Sequence, residues 1–298
     1  MDESGLQQRA ARRTALARAH QRRRLTAIGT ILVIVAIVLL ALNRSGPTGR
    51  PPAPEASASV PAPHGKDARR LGAADAAVDR VLAYSSYVSR GAHQRKEVAL
   101  TFDDGPGPTT PALLRYLVAN GVPATFFLVG KAIARYPEVV RQESDAGFML
   151  GTHTDSHARL ASRTFADQQQ EILTGADRIT RFTGHAVRLF RPPYGAFDAN
   201  TLNILRAERM LMVLWSVDTR DFSAKRAAPI VSATLAGSRA GAVILLHDGP
   251  GPRPQTLKAV RRIVTKLRRD GYRIVSLPRL LRDDPPPRNQ PVPRSLDG

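Results

Sequence analysis

From residue 96 to residue 282 the chain alternates two patterns of hydrophobicity. Short apolar or β-branched runs at 98–102, 124–129, 148–150, 189–190, 211–215, 242–246 and 273–276 have the composition of strands covered on both faces. Between them lie stretches at 111–120, 131–143, 165–181, 199–208, 229–235 and 255–270 that read as helices. The first has Thr109 or Thr110 as its N-cap and Gly121 as its stop. The third carries Phe165, Ile172, Leu173, Ala176 and Ile179 as its apolar positions. Seven strands alternating with helices predict an α/β fold with a parallel sheet, open or closed into a barrel. The stretch is short for a complete eightfold barrel. A short helix at 73–83, with Val78, Val81 and Leu82 on one side, and a small edge strand at Tyr87-Val88 are expected before it.

Outside this region the pattern changes. Residues 1–24 are polar and Arg-rich, and 25–42 are apolar apart from Thr26, Gly29 and Thr30. As a helix, that run rises about 27 Å, close to the hydrocarbon thickness of a bilayer. The preceding arginines belong in the cytoplasm, which puts the C-terminal bulk outside. A cleaved signal peptide is the competing reading, with secretion as its consequence. No small-x-small cleavage site follows Leu42, which favours a single-pass anchor. Residues 43–90 form a Pro- and Ala-rich linker, 91–282 the globular domain, and 283–298 a Pro-rich, disordered tail.

Composition narrows the partners. The net charge is +19, and basic residues still outnumber acidic ones within the globular domain. Such a surface suits an anionic partner: cell-wall polymer, lipid head groups or nucleic acid. No nucleic-acid module is recognisable, so no nucleic-acid partner is expected. The chain has no cysteine, which excludes disulfides and thiolate metal ligands.

Candidate chemistry gathers at the ends of the strand-like runs, where parallel α/β sheets carry their ligands. The run Val98-Ala-Leu-Thr-Phe-Asp-Asp-Gly-Pro-Gly107 ends in Asp103 and Asp104. Two adjacent carboxylates require something positive nearby, a metal, an Arg or both. Taken alone, a turn whose aspartates bond local amides explains them equally well. His153-Thr-Asp-Ser-His157 follows the third strand. On a helical turn its two histidines face the same way, and with a carboxylate from another strand end they make a His2Asp site with an open position. In Arg191-Pro-Pro-Tyr-Gly195, Arg191 is placed to hold a carboxylate bidentately. Trp215-Ser-Val-Asp-Thr-Arg-Asp221-Phe222 adds Asp218 and Asp221, and Leu245-Leu-His-Asp248 adds His247. With either aspartate as partner, His247 is a candidate general acid.

In chain order, Thr101-Phe-Asp-Asp-Gly105, His153-Thr-Asp-Ser-His157, Arg191-Pro-Pro-Tyr194, Asp218-Thr-Arg-Asp221 and Leu245-Leu-His247 resemble the five motifs of the NodB-like polysaccharide deacetylases, carbohydrate esterase family four. The resemblance covers about 94–281 and implies a distorted (β/α) barrel of fewer than eight strands, about seven here. It implies a hydrolase that removes N-acetyl groups from a polysaccharide. Asp104, His153 and His157 would bind a divalent metal, usually zinc, with cobalt or nickel as alternatives. Asp103 would be the general base, held by Arg191, and His247 the general acid, oriented by a motif-four aspartate. Asp221 is favoured over Asp218 because it stands just before the family's usual Trp. The Tyr194 N–H would serve the oxyanion, and Leu245 would line the acetyl pocket. Two departures bear on substrate shape: Phe222 replaces that Trp, and Asp155 adds a charge between the two histidines. The expected substrate is peptidoglycan, met outside the cytoplasm by a membrane-anchored enzyme. Chitooligosaccharides and O-acetylated glycans are alternatives, and an idle wall-binding module is the non-enzyme reading.

Overall fold

The structure, a computed structural model, describes residues 66–290. The expected membrane span at 25–42, the basic segment before it, most of the linker and residues 291–298 lie outside the described residues. Among the described residues no helix is long and apolar enough to cross a membrane.

Nine strands form one sheet whose long central member is β2 (Glu97–Gly105). The order runs β1 (Tyr87–Val88), β6 (Leu211–Val213), β5 (Leu189–Phe190), β4 (Met149–Thr152), β3 (Thr125–Leu128), β2, β8 (Ala242–His247), β7 (Val217–Asp218). The ninth, β9 (Arg273–Val275), pairs with the start of β2. All strand pairings are parallel. The end strands β1 and β7 do not pair with each other among the described residues, so the sheet curls without closing. A lone antiparallel bridge from Arg90 to Ala242 crosses the gap. The count exceeds the expected seven by β1, read from sequence as a separate edge strand, and by β7, whose Val217 stands among polar residues and leaves no apolar run.

Strand periodicity divides the core. Along β2, Val98, Leu100 and Phe102 join the layer beneath the helices, while Ala99 joins the barrel interior with Phe127, Val213, Trp215, Val243 and Leu245. The outer layer is covered by α2 (Thr110–Ala119), α3 (Gly130–Arg135), α4 (Pro137–Asp145), α5 (Phe165–Thr183), α6 (Ala199–Ala207), α7 (Ala227–Gly237) and α8 (Pro254–Arg269). The interior is plugged by Ala77, Val78 and Val81 of α1 (Lys66–Leu82) and by Leu277, Leu280 and Leu281 of α9 (Leu277–Asp283). The N–H of Leu277 donates to Thr125 Oγ1 at the start of β3, so this plug sits at the N-terminal end of the strands.

Three expectations need correction. The helix expected over 131–143 breaks at Tyr136, because Pro137 drives the residue before it out of the helical region (φ −131°, ψ 54°). The short helix expected at 73–83 starts at Lys66, well inside the stretch read as linker. The tail expected to be disordered from residue 283 is packed as far as Gln290. Asp284, fully buried, accepts from the N–H groups of His93 (3.0 Å) and Gln94 (3.1 Å), and Gln290 Oε1 accepts from Ser89 N (2.8 Å). Proline-rich composition hides this docking because side chain to backbone bonds hold it, with no periodic apolar face to read.

Replacing Asp284 by Ala strips two backbone donors of their acceptor. Urea unfolding should show a loss of about 1–3 kcal/mol; an unchanged midpoint would contradict this latch.

Candidate active site

The two neighbouring carboxylates of β2 reach one mouth because the strand is irregular there. In a regular strand successive side chains point to opposite faces. The register of β2 against β3 slips between Asp103 and Gly105, leaving Asp104 as an extra residue with φ +69°. This bulge turns the Asp104 carboxylate toward the histidines of the next strand end but one. Asp104 Oδ1 lies 3.0 Å from His157 Nε2 and 3.5 Å from His153 Nε2.

The histidines come together differently from the expected helical turn. Residues 153–157 are a loop after β4, coiled by left-handed backbone at Thr154 (φ +67°) and His157 (φ +60°). Glu171 of α5 fastens the loop by accepting from Ser156 N (2.9 Å) and Ser156 Oγ (2.6 Å). Asp155, expected to add charge beside the histidines, is instead paired with Arg178 at 2.6 Å.

Asp104, His153 and His157 offer ligand atoms that all lie within 4.8 Å of one another, and they fit a divalent cation. His153 Nδ1 is 2.7 Å from the Arg191 carbonyl oxygen, which fixes the proton on Nδ1 and turns the Nε2 lone pair toward Asp104. Burial holds the His153 pKa down at about 4, so the ring is neutral, as a ligand must be. Burial alone would raise Asp104, but His157, His153 and His247 outweigh it and hold the carboxyl at about 2. Asp104 Oδ1 is buried, with His157 Nε2 3.0 Å away. A buried, ionised oxygen facing two imidazole nitrogens is a place for a metal ion.

Arg191 is fully buried beside this cluster. Its contact with Asp103 is single, Nη1 to Oδ1 at 2.7 Å, rather than the expected bidentate pair. The rest of the fork is committed to Thr101 Oγ1 (2.8 Å), Val213 O (3.0 Å) and Leu214 O (3.1 Å), and the guanidinium lies 4.2 Å from the Phe127 ring centroid. That leaves Asp103 Oδ2 toward the mouth, 3.8 Å from His153 Nε2.

Across the mouth, β8 ends in His247. Its Nδ1 is 2.7 Å from Asp221 Oδ1, and its backbone N–H donates to Asp221 Oδ2 at 2.9 Å. Asp221 also accepts from Thr256 Oγ1 (2.7 Å) and Thr219 Oγ1 (3.2 Å). Asp218 accepts from the N–H of Arg220 within its own loop, so Asp221 is the partner of His247. Burial would lower the His247 pKa, but the hydrogen bond and charge of Asp221, with Asp104 and Asp103 behind, raise it to about 9. At neutral pH His247 is a cation with a proton to give.

Two half-exposed aromatic rings flank the mouth. Tyr194, with left-handed backbone (φ +62°), packs edge-on against His157 at 4.8 Å, and Phe222 packs edge-on against His247 at 5.6 Å. Leu245 is buried in the barrel interior one strand repeat before His247, on the same face. Every residue singled out from sequence for the site therefore lies at one end of the barrel.

Sequence reasoning passed over two groups. Thr256 supports Asp221 from α8, with no motif to mark it. Asp248 and Glu143 are buried carboxyls beneath the site, and neither Glu143 oxygen has a hydrogen-bond partner among the described residues. Burial raises both pKa values, and their mutual repulsion adds to it for Glu143. Asp248 was visible next to His247. Glu143 continues the buried face of Val139 and Val140 on α4, a position where a glutamate reads as solvent-exposed.

The family model described as Polysaccharide deacetylase matches residues 90–213. A peptidoglycan-N-acetylglucosamine deacetylase of Bacillus cereus is 36% identical over 195 residues, covering 65% of this chain and 71% of that protein. A chitooligosaccharide deacetylase of a Bradyrhizobium strain is 37% identical over 198 residues, covering 62% and 90%. Among solved structures, a peptidoglycan N-acetylglucosamine deacetylase in complex with a substituted benzamide superposes with a TM-score of 0.65 at 33% identity, over 70% of this chain and 97% of that one.

Asp221 raises the His247 pKa, so Asp221→Asn should let the ring lose its proton at lower pH. The alkaline limb of the kcat/KM profile for acetyl hydrolysis should move down relative to the parent under the same metal. A limb that stays in place would separate His247 from the proton transfer.

Proposed function

We propose that this chain, which belongs to the polysaccharide deacetylase family (carbohydrate esterase family four), removes N-acetyl groups from the amino sugars of a cell-wall glycan, peptidoglycan foremost. The observation that carries the reading is the meeting of the Asp104, His153 and His157 cluster with an Arg-bound aspartate on one side and an Asp-bound histidine on the other. An amide is a poor electrophile with a poor leaving group, so its hydrolysis needs a base, an oxyanion site and an acid.

Asp104, His153 and His157 would hold a divalent ion, zinc by preference with cobalt or nickel as substitutes, which would supply Lewis acidity for the acetamide. Asp103 takes the proton from the attacking water. Arg191 keeps one of its oxygens occupied, leaving Oδ2 to do so. The Tyr194 N–H, turned by its left-handed backbone, is the donor for the developing oxyanion. His247, charged through Asp221, protonates the departing nitrogen from Nε2. Acetate and a free amino sugar leave. Leu245 bounds the acetyl methyl, and the Tyr194 and Phe222 rings give the sugar two apolar walls.

The similarity to a peptidoglycan deacetylase supports peptidoglycan as substrate, and the chitooligosaccharide deacetylase at comparable identity supports a second reading in which the chain acts on free chitin oligomers. The apolar run at 25–42 with arginines before it supports a single-pass anchor that holds the catalytic domain outside the cytoplasm, with secretion after cleavage as the alternative.

Acetate release from purified peptidoglycan tests the reading. Zinc-loaded protein should release acetate, while chelator-stripped protein and zinc-loaded Asp103→Asn should each lose at least about 100-fold in rate. Release from chitooligosaccharides alone would move the assignment to the second substrate. Retained glycan binding with no release from any acetylated glycan would make the chain an idle wall-binding module.

A further inference from the structure

The catalytic mouth uses one end of the barrel; the other end holds a second concavity that the reaction does not need. A cavity of ≈ 410 Å³ opens between α1, α9 and the starting ends of β3, β4 and β9. Four arginines line it, Arg70, Arg273, Arg279 and Arg282, and no acidic residue does. Arg70 donates to the Gly147 carbonyl, and the other three guanidinium groups share two carboxylates. Asp283 alone serves Arg282 (2.8 Å), Arg279 (3.2 Å) and Arg273 (3.4 Å), and Glu97 adds a second contact to Arg273. The side chains of Arg273, Arg279 and Arg282 remain 55%, 48% and 46% exposed, so each fork keeps donors turned to solvent. The remaining lining is largely apolar, with Ala74, Met149 and Ile274 among it.

We propose that this basal cavity seats the phosphate of an anionic phospholipid head group, holding the barrel base-down on the membrane with its catalytic mouth facing away. Guanidinium forks match phosphate oxygens in geometry and charge, and sharing one aspartate among three of them leaves that capacity unspent. The apolar wall suits the glycerol and first methylenes of a lipid better than it suits a free inorganic anion. Placement points the same way. Arg70 lies near the start of α1, where the chain arrives from the apolar run ending at residue 42. Fully extended, residues 43–65 reach at most about 80 Å, enough for the base to meet the surface that the run would span. This last step rests on reading 25–42 as the membrane span proposed above. The consequence is orientation: a tether alone lets the mouth face any direction, whereas a docked base presents it to the wall.

The test is calorimetric titration of the full chain, held in neutral maltoside micelles, with dihexanoyl-phosphatidylglycerol. The expected result is saturable binding that weakens about tenfold or more in Arg279→Gln/Arg282→Gln, as two charge-assisted contacts are lost. Dihexanoyl-phosphatidylcholine and inorganic phosphate should bind at least about tenfold more weakly than the anionic lipid. Circular dichroism melting checks that the double variant is folded. If it is not, Arg279→Gln alone, whose side chain is half exposed, takes its place. Absence of saturable binding by the parent, or undiminished binding by the folded variant, overturns the proposal. Inorganic phosphate binding as tightly as the lipid also overturns it, leaving a site for free anions. Carbonate extraction of membranes containing the full chain judges the span by itself. Release of the protein would sink the anchor without deciding what the cavity binds.

Discussion

A guanidinium with no exposed surface sits inside the barrel, and the site is assembled on it. Arg191 leaves the end of β5 and crosses the interior to β2, three places along the sheet, where it meets Asp103 and Thr101. The same fork binds the carbonyls of Val213 and Leu214 at the end of β6, on the other side of β5. Its own carbonyl holds His153 Nδ1. One residue thus fixes the carboxylate proposed as base, the tautomer of a histidine in the proposed metal cluster and the spacing of three strand ends. Such a charge survives burial only while its partners are in place, because an uncompensated buried ion costs several kcal/mol. The two prolines after Arg191 stiffen the chain where this geometry has to be held.

Around that fixed point, environment gives like residues unlike tasks. Asp103 and Asp104 are neighbours in sequence, yet one answers to an arginine and the other to histidines, because a bulge separates their directions. His153 and His247 diverge as well. Burial without a carboxylate partner at Nδ1 keeps His153 neutral, with a pKa of about 4, while Asp221 holds His247 charged, with a pKa of about 9. A neutral nitrogen suits a metal and a charged one suits proton donation, so the pKa separation agrees with the proposed division of labour. Left-handed backbone at Asp104, His157 and Tyr194 concentrates conformational cost on residues at the mouth.

Most of the fold, and the gathering of the candidate site residues at one end of the sheet, were legible in the sequence, because buried parallel strands leave apolar runs and their C-terminal ends carry the polar residues that follow them; the roles proposed for those residues came from the family resemblance. What was illegible shares one property: it is not periodic. The slip at Asp104 and the coiled loop at Thr154 are local irregularities with no residue-type signature. In β7 a single apolar residue, Val217, stands among polar neighbours and leaves no run. Gln290 and Asp284 dock the C-terminal segment by hydrogen bonds to backbone, which composition does not register. Glu143 violates the helix pattern it belongs to, with a carboxylate where an apolar side chain is expected. The break before Pro137 was readable in principle, since proline restricts the residue ahead of it.

The claim that Arg191 organises the site is tested most directly by Arg191→Lys, which keeps the charge and removes the planar fork. Turnover of an acetylated glycan and zinc affinity should be measured on the same folded preparation. kcat/KM should fall by at least about 100-fold, from loss of Asp103 alignment, while zinc affinity should change by less than about tenfold, since the proposed ligands and the residue 191 carbonyl remain. A folded, zinc-bound Arg191→Lys protein with turnover within about threefold of the parent would contradict it.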